Sequence, residues 1–389
     1  MALFVKQETY FVWQMTSYFD CAATAPIIPD ARAALLRFTD LEYGNAGSRT
    51  HEFGTQAKRA VQAARAQVAT LAGARADEVI FTSGATEANN LAILGLRAHG
   101  EATGKRHIVT TAIEHKAVLE PVQALVGAGF EATIIAPDSH GRISDDAVLA
   151  ALRPDTLLVS VMHANNETGA LQPITTIAAG LAGSGAFFHV DAAQSFGKLS
   201  APLADPNIHL ISVSGHKLYA PKGIGALIVR RKETKIPIAP LIYGGGQERG
   251  LRPGTLPVAI IAAFGAACAA ASRDVNKRAA RCLEIRQHLL DALLPLGAVI
   301  NGSLEDGLAS TLNLSFPGLD SEAVMLVLKD LVALSNGSAC TSASYEPSHV
   351  LLAMGLPGDR IDGALRFSWC HMTEEPDWVD VAARISSLR

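Results

Sequence analysis

Cysteine is scarce in this chain of 389 residues: Cys21, Cys268, Cys282, Cys340 and Cys370 are the only five. An odd number without a C-x-x-C pair argues against a disulfide framework or a zinc site and suits a reducing compartment, the cytoplasm. Net charge is just as sparse. The 33 Lys plus Arg against 37 Asp plus Glu leave a formal charge of -4, so nothing draws the chain to nucleic acid or to an anionic membrane in general. Long apolar runs are missing too. The most apolar stretch, Leu256 to Ala271, contains Pro257 and is shorter than the ~20 residues of a membrane span; it predicts a buried helix. No secretory signal opens the chain, because Lys6 and Glu8 interrupt the apolar residues and no small-residue cleavage site follows. Residues 1–14 read as an extension, with Met15 as an alternative start. There is no internal repeat and no low-complexity segment.

What is present is material for a core: 49% hydrophobic residues against 18% charged, the balance of a globular protein. Short Val/Ile-rich runs alternate with longer Ala/Leu-rich amphipathic ones. Strands are predicted at Glu78–Thr82, His107–Thr111, Thr156–Val161, Ala186–Val190, Leu210–Ser214 and Gly225–Val229. Helices are predicted at Ala57–Ala72, Glu87–Leu96, Lys116–Gly127, Asp145–Leu152 and Ile174–Leu181. This alternation implies an α/β fold with a mainly parallel sheet covered on both faces, which binds ligands beyond the carboxyl ends of its strands. After about Ala271 the pattern changes to a charged helix (Arg273–Leu294), shorter strands near Ser310–Ser315 and Ala364–Ser368, and a helix at Glu322–Leu328. The expected organisation is a large domain over residues 27–272 and a smaller α+β domain over 273–389, with residues 15–26 packing against the latter.

Polar residues gather at the predicted strand ends. Glu78–Thr82 runs into Ser83-Gly84-Ala85-Thr86 at the start of a helix, where free backbone N–H groups and the positive end of the helix dipole face an anion; an ordinary βα turn capped by Thr86 is the plainer alternative. Other strands lead to Glu114-His115, to His163 and Asn165-Asn166-Glu167, and to Asp191 and Gln194. Leu210–Ser214 leads to Gly215-His216-Lys217, followed by Pro221-Lys222-Gly223-Ile224-Gly225. A lysine in such apolar and Gly-rich surroundings loses proton affinity by desolvation, which Schiff-base chemistry requires; the alternative is a solvated loop lysine. A lysine, a strand-end carboxylate and a phosphate cradle together form the minimum site for pyridoxal 5'-phosphate (PLP), the carboxylate keeping the pyridine nitrogen protonated. Cys340 lies in Ser335-Asn336-Gly337-Ser338-Ala339-Cys340-Thr341-Ser342-Ala343-Ser344, small and polar throughout. Free cysteines are usually buried, but this segment has no apolar periodicity, and residues 335–346 read as an exposed loop. Cys268, among Ala and Phe, reads as core, and Cys282 as helix packing. Arg366 would clamp a carboxylate with its planar fork or serve a structural ion pair.

The runs Phe81-Thr82-Ser83-Gly84-Ala85-Thr86-Glu87, Glu114-His115-Lys116, Asn165-Asn166-Glu167, His189-Val190-Asp191, Ser214-Gly215-His216-Lys217, Gly244 to Gly250 and Gly337 to Ser344 resemble those of the cysteine desulfurases, a branch of the fold-type I PLP-dependent transferases. The resemblance runs from about Tyr18 to the C-terminus. It implies that Lys217 carries the cofactor, His115 stacks on its ring, Asp191 pairs with the ring nitrogen, and Asn166 and Gln194 contact the ring hydroxyl. It implies further that Ala85, Thr86, Ser214 and His216 hold the phosphate, and that Thr255 reaches the phosphate of a second subunit in a homodimer. Arg366 with Asn166 would bind the carboxylate of L-cysteine. Lys217 would move the α-proton, and the Cys340 thiolate would take the sulfur as a persulfide, releasing alanine and passing the sulfur to a protein acceptor. Asn45-Ala46-Gly47-Ser48, Gln247 and Phe367-Ser368-Trp369-Cys370 depart from the family pattern. The chain also stops at Arg389, without the longer tail of members that feed iron–sulfur scaffolds. Acceptors in iron–sulfur assembly or in tRNA or DNA sulfur modification all remain open. The rival readings are a selenocysteine lyase or aminotransferase on the same fold, or a non-catalytic binding protein.

Overall fold

In the computed structural model, residues 16–231, 235–336 and 347–389 are described. They open on a two-residue strand, β1 (Ser17–Tyr18). Seven strands then build one sheet: β2 (Val79–Thr82), β3 (His107–Thr111), β4 (Glu131–Ile135), β5 (Thr156–Ser160), β6 (Phe187–Asp191), β7 (Leu210–Ser214) and β8 (Gly225–Val229). Their spatial order is β2-β8-β7-β6-β5-β3-β4. Only β8 runs against the others, pairing antiparallel with both β2 and β7. Strands β2, β3, β5 and β7 are buried along their whole length, which is why they read as unbroken Val/Ile/Leu runs rather than as alternating ones. Strand β4 is absent from the sequence reading. It is an edge strand, its residues Glu131 and Ile134 exposed, and short edge strands carry a weak hydrophobic signal.

Further along the chain, β9 (Val299–Ile300), β10 (Thr311–Ser315), β11 (Val332–Ala333) and β12 (Ala364–Ser368) form the smaller sheets. The order β12-β10-β9 is antiparallel, and β1 pairs parallel with β11. The segment after β1 bridges two apolar clusters: Phe19 packs with Leu312, Phe367 and Trp369, whereas Cys21, Ala25 and Ile28 pack with the core of the large sheet.

The stretch expected to end near Ala271 and the charged helix expected from Arg273 are one continuous helix, Val258–Leu293. The line drawn at residues 272/273 thus falls inside a helix. No Pro or Gly separates the two parts, so nothing interrupts the hydrogen-bond ladder. Its first half, with Ile261, Phe264, Ala267 and Ala271, joins the large core, and its second half, from Cys282 to Leu293, joins the small one. Full burial of Ile261 or Phe264 stabilises by roughly 1.5–3 kcal/mol each. By length and composition this helix would be able to cross a membrane, but its apolar half packs on the Glu52–Leu71 helix. The approach is so close that a Cβ at Gly265 would sit 2.5 Å from the Cα of Ala64. Residues 347–389 also contribute to the large core, through Val350, Leu351, Met354 and Ile361.

Candidate active site

Because β2, β3, β5, β6 and β7 are parallel, the residues that follow them converge on one edge of the sheet. A cavity of about 470 Å³ opens there, and Ala85, Thr86, His115, Asn166, Asp191, Gln194, Ser214, His216, Lys217 and Arg366 all line it. Thr255 is exposed and does not line it. Cys340 lies outside the described residues.

The turn after β2 ends at the Ala85–Leu94 helix, whose N-cap, Gly84, offers no side-chain cap; the first N–H groups of a helix have no partner within it. Gly84 and Gly225 meet here. A Cβ on Gly225 would lie 2.7 Å from the Cα of Gly84, so the close packing of β8 on this turn requires glycine. Glu87 turns away from the cavity to accept from the Ser83 N–H at 2.8 Å and from Arg252 Nε at 2.9 Å.

Asp191 ends β6, and its two oxygens are held separately. Oδ1 accepts the Ala193 N–H at 2.9 Å, and Oδ2 accepts Nδ2 of Asn89 at 2.7 Å. His115 caps the Lys116–Gly127 helix, its Nδ1 accepting the Ala117 N–H at 3.1 Å. Burial lowers its proton affinity, and an Nδ1 that accepts a backbone N–H leaves Nε2 as the ring's proton-bearing nitrogen. Behind it Glu114 is wholly buried and accepts from Met162 N–H (2.7 Å) and Thr111 Oγ1 (2.8 Å); burial pushes its pKa from the ordinary 4.5 up to about 8. Asn165 folds the loop after β5, its Oδ1 accepting the N–H groups of Glu167 and Thr168, and so presents Asn166 to the cavity. His163, a strand-end candidate, is paired with Ser195 Oγ at 2.8 Å, with its pKa brought down to about 4 by burial.

Lys217 Nζ donates to the backbone carbonyls of Ala22 and Ala23. Gln194 Nε2 donates to the same Ala22 carbonyl at 3.0 Å. His216 Nδ1 lies 3.2 Å from Thr24 Oγ1; burial, then the charge of Lys217, brings its pKa down to about 4. Residues 20–24 therefore strap the Lys217 turn. Arg366, 1% exposed, donates through Nη2 to Asp20 Oδ1 at 2.7 Å and through Nη1 to the Asn166 carbonyl at 3.1 Å. The structural ion pair considered for Arg366 is thus present, while its Nε keeps a donor to spare.

That spare donor is one of a set. Asn89 Oδ1, Asn166 Oδ1, Gln194 Oε1, Ser214 Oγ and Arg366 Nε are buried without a hydrogen-bond partner, and all five residues line this cavity. Unmet buried polar groups are costly and rare. Their concentration around a lysine, a carboxylate and an uncapped helix terminus fits a polar, phosphate-bearing cofactor. The sequence reading omitted Asn89, Asp20 and the carbonyls of Ala22 and Ala23. Asn89 left a trace, a polar residue amid the apolar Ala88, Leu91 and Ala92 of its helix; the others are brought in from far along the chain.

Residues 17–380 match the family model described as Aminotransferase class-V. The chain is 47% identical, over 92% of its length and 89% of the relative's, to "Cysteine desulfurase IscS" of Serratia proteamaculans. Among solved structures, "Crystal structure of DndA from streptomyces lividans" is 49% identical with a TM-score of 0.81, covering 91% of this chain and 99% of that one. "SspA in complex with cysteine" is 36% identical with a TM-score of 0.78, covering 91% and 98%. The chain belongs to the class-V aminotransferases and, among them, to the cysteine desulfurases. Its fold is fold-type I, its cofactor is pyridoxal 5'-phosphate, and it is a sulfurtransferase.

Proposed function

We propose that this enzyme converts L-cysteine to L-alanine and passes the sulfur, carried as a persulfide on Cys340, to a protein acceptor. The observation that carries the reading is the set of five unmet buried polar atoms around Lys217. Lys217 holds PLP, which when bound supplies an electron sink for charge left at the substrate α-carbon. Asp191, oriented by Asn89 and the Ala193 N–H, faces the ring nitrogen; His115 covers the ring, and Asn166 and Gln194 serve its hydroxyl. Ala85, Thr86, Ser214 and His216 hold the phosphate. The substrate carboxylate binds Arg366 beside Asn166, replacing Asp20 on the guanidinium. Lys217 Nζ, freed by substrate, takes the α-proton. The Cys340 thiolate then forms a bond to the substrate sulfur as the carbon–sulfur bond breaks.

The large and small domains divide along the Val258–Leu293 helix, and the site lies where Arg366 of the small domain meets the sheet edge. A homodimer is supported by the exposure of Leu41, Tyr43, Ile242 and Tyr243 (86% for Tyr243), and by Thr255 being exposed and outside the lining of the active-site cavity of its own chain. The four described cysteines are free, which suits the cytoplasm. The acceptor serves iron–sulfur assembly or sulfur modification of tRNA or DNA, with neither nucleic acid nor membrane bound directly. Borohydride treatment of the yellow protein should fix the cofactor to the peptide containing Lys217. Cys340→Ser should keep the bound-cofactor spectrum and lose sulfide release from cysteine. Label on another lysine, or full activity in Cys340→Ser, overturns the assignment; amino transfer to a keto acid instead of alanine release would make it an aminotransferase.

A further inference from the structure

A second cavity, of about 260 Å³, lies between the two apolar clusters and shares no lining residue with the first. Its walls include Leu171, Leu199, Val275, Ala279 and Leu308, and two cations reach it, Lys198 and Arg278. Arg278 is 8% exposed, yet its Nε and Nη1 have no hydrogen-bond partner. The carboxylate nearest its guanidinium is Asp274, 3.7 Å from Nη2. Its Cζ stands 5.3 Å from the ring centroid of Tyr219, which lines the same cavity. The groups that act on the Lys198 ammonium are the thiols of Cys21, Cys282 and Cys370, and among the described residues no carboxylate pairs with it; burial alone lowers its proton affinity. A buried guanidinium with two unmet donors, set beside a second cation, is costly unless an anion meets it.

We propose that this cavity is a second binding site, taking a small organic carboxylate with a short apolar chain. The planar fork of Arg278 matches a carboxylate, Lys198 adds a second charge, and the aliphatic walls accommodate the chain. Divided by the ~30 Å³ share of one water in the liquid, the volume holds roughly eight or nine non-hydrogen atoms. The site also adjoins segments that carry residues of the active centre. Tyr219 follows Lys217 by two residues, with φ at 65° in the left-handed region, and the carbonyl of Ser310, another lining residue, accepts the N–H of Trp369 just past β12.

Equilibrium dialysis of labelled butanoate against the holoenzyme tests this. Arg278→Leu, Lys198→Met and Ala279→Phe, the last filling the space without removing either cation, should each weaken binding about tenfold or more, the loss of one charge-assisted hydrogen bond or of the room for the chain. Arg366→Leu should leave one equivalent of binding. Circular dichroism checks that each variant is folded, and if Arg278→Leu is not, the other two decide. Butanoate bound equally by Lys198→Met and Ala279→Phe, or lost only in Arg366→Leu, overturns the proposal. Inorganic sulfate displacing butanoate at equal concentration would show that charge alone is read, and overturns the organic-carboxylate assignment.

Discussion

Asp191 shows how little freedom a residue at this site has. With Oδ1 and Oδ2 each held by a separate donor, its carboxylate plane is set before any ligand arrives, which is the preorganisation that electrostatic catalysis needs. Opposite charges 4 Å apart at an effective ε of 20 interact by about 4 kcal/mol. Losing half of that in Asp191→Asn slows turnover by roughly one to two powers of ten, while cofactor binding, read from absorbance, should persist; unchanged turnover would make Asp191 merely structural. Glu114 titrates with the opposite sign from a salt-bridged acid. Its folded pKa of about 8 lies above the ordinary 4.5. Between those values the folded state therefore holds a proton that the unfolded state has released, and stability falls as pH rises through that window, by up to about 1.4 kcal/mol per pH unit. Glu114→Gln cannot ionise, so its melting temperature should decline less than that of the natural protein between pH 5 and 8. Parallel declines would show that Glu114 does not carry the shift.

Elements explain which residues could be read in advance. Asp191 and Ser214 end strands of the sheet, and His115, His216 and Lys217 come within a few residues of a strand end; a parallel sheet delivers such residues to one edge whatever lies between the strands. Asn89 and Asp20 were not legible in this way. The first reaches Asp191 from a helix 102 residues earlier, and the second reaches Arg366 across 346 residues of chain. Nor did composition reveal that one helix serves both cores. Gly265, where that helix meets Ala64, supplies a test of this packing. Gly265→Val should cost roughly 1–3 kcal/mol by overpacking, seen as a lower denaturation midpoint with little change in the cofactor spectrum. A midpoint at or above that of the natural protein would mean the two helices are not so close.

At the scale of the whole molecule, the proposed dimer makes a prediction that a monomeric site does not. In a hybrid of Lys217→Ala and Thr255→Asp, one site carries both defects, while the other pairs an intact Lys217 with an intact Thr255. Because a two-fold contact is reciprocal, coexpressed variants should regain up to about half the normal activity per hybrid dimer. Purified hybrids that stay inactive while each parent is folded would place Thr255 in its own subunit's site.

The sequence by itself determined the parallel sheet, the strand-end residues and the class of chemistry, because strand burial and the turns that follow are local and leave a local pattern. The tertiary structure alone decided the rest. It brought the carbonyls of Ala22 and Ala23 to Lys217, Asp20 to Arg366, and Arg278 and Lys198 to one cavity. Such contacts join segments from 80 to 346 residues apart, and what selects them is the packing of one core against another, which no window of sequence contains.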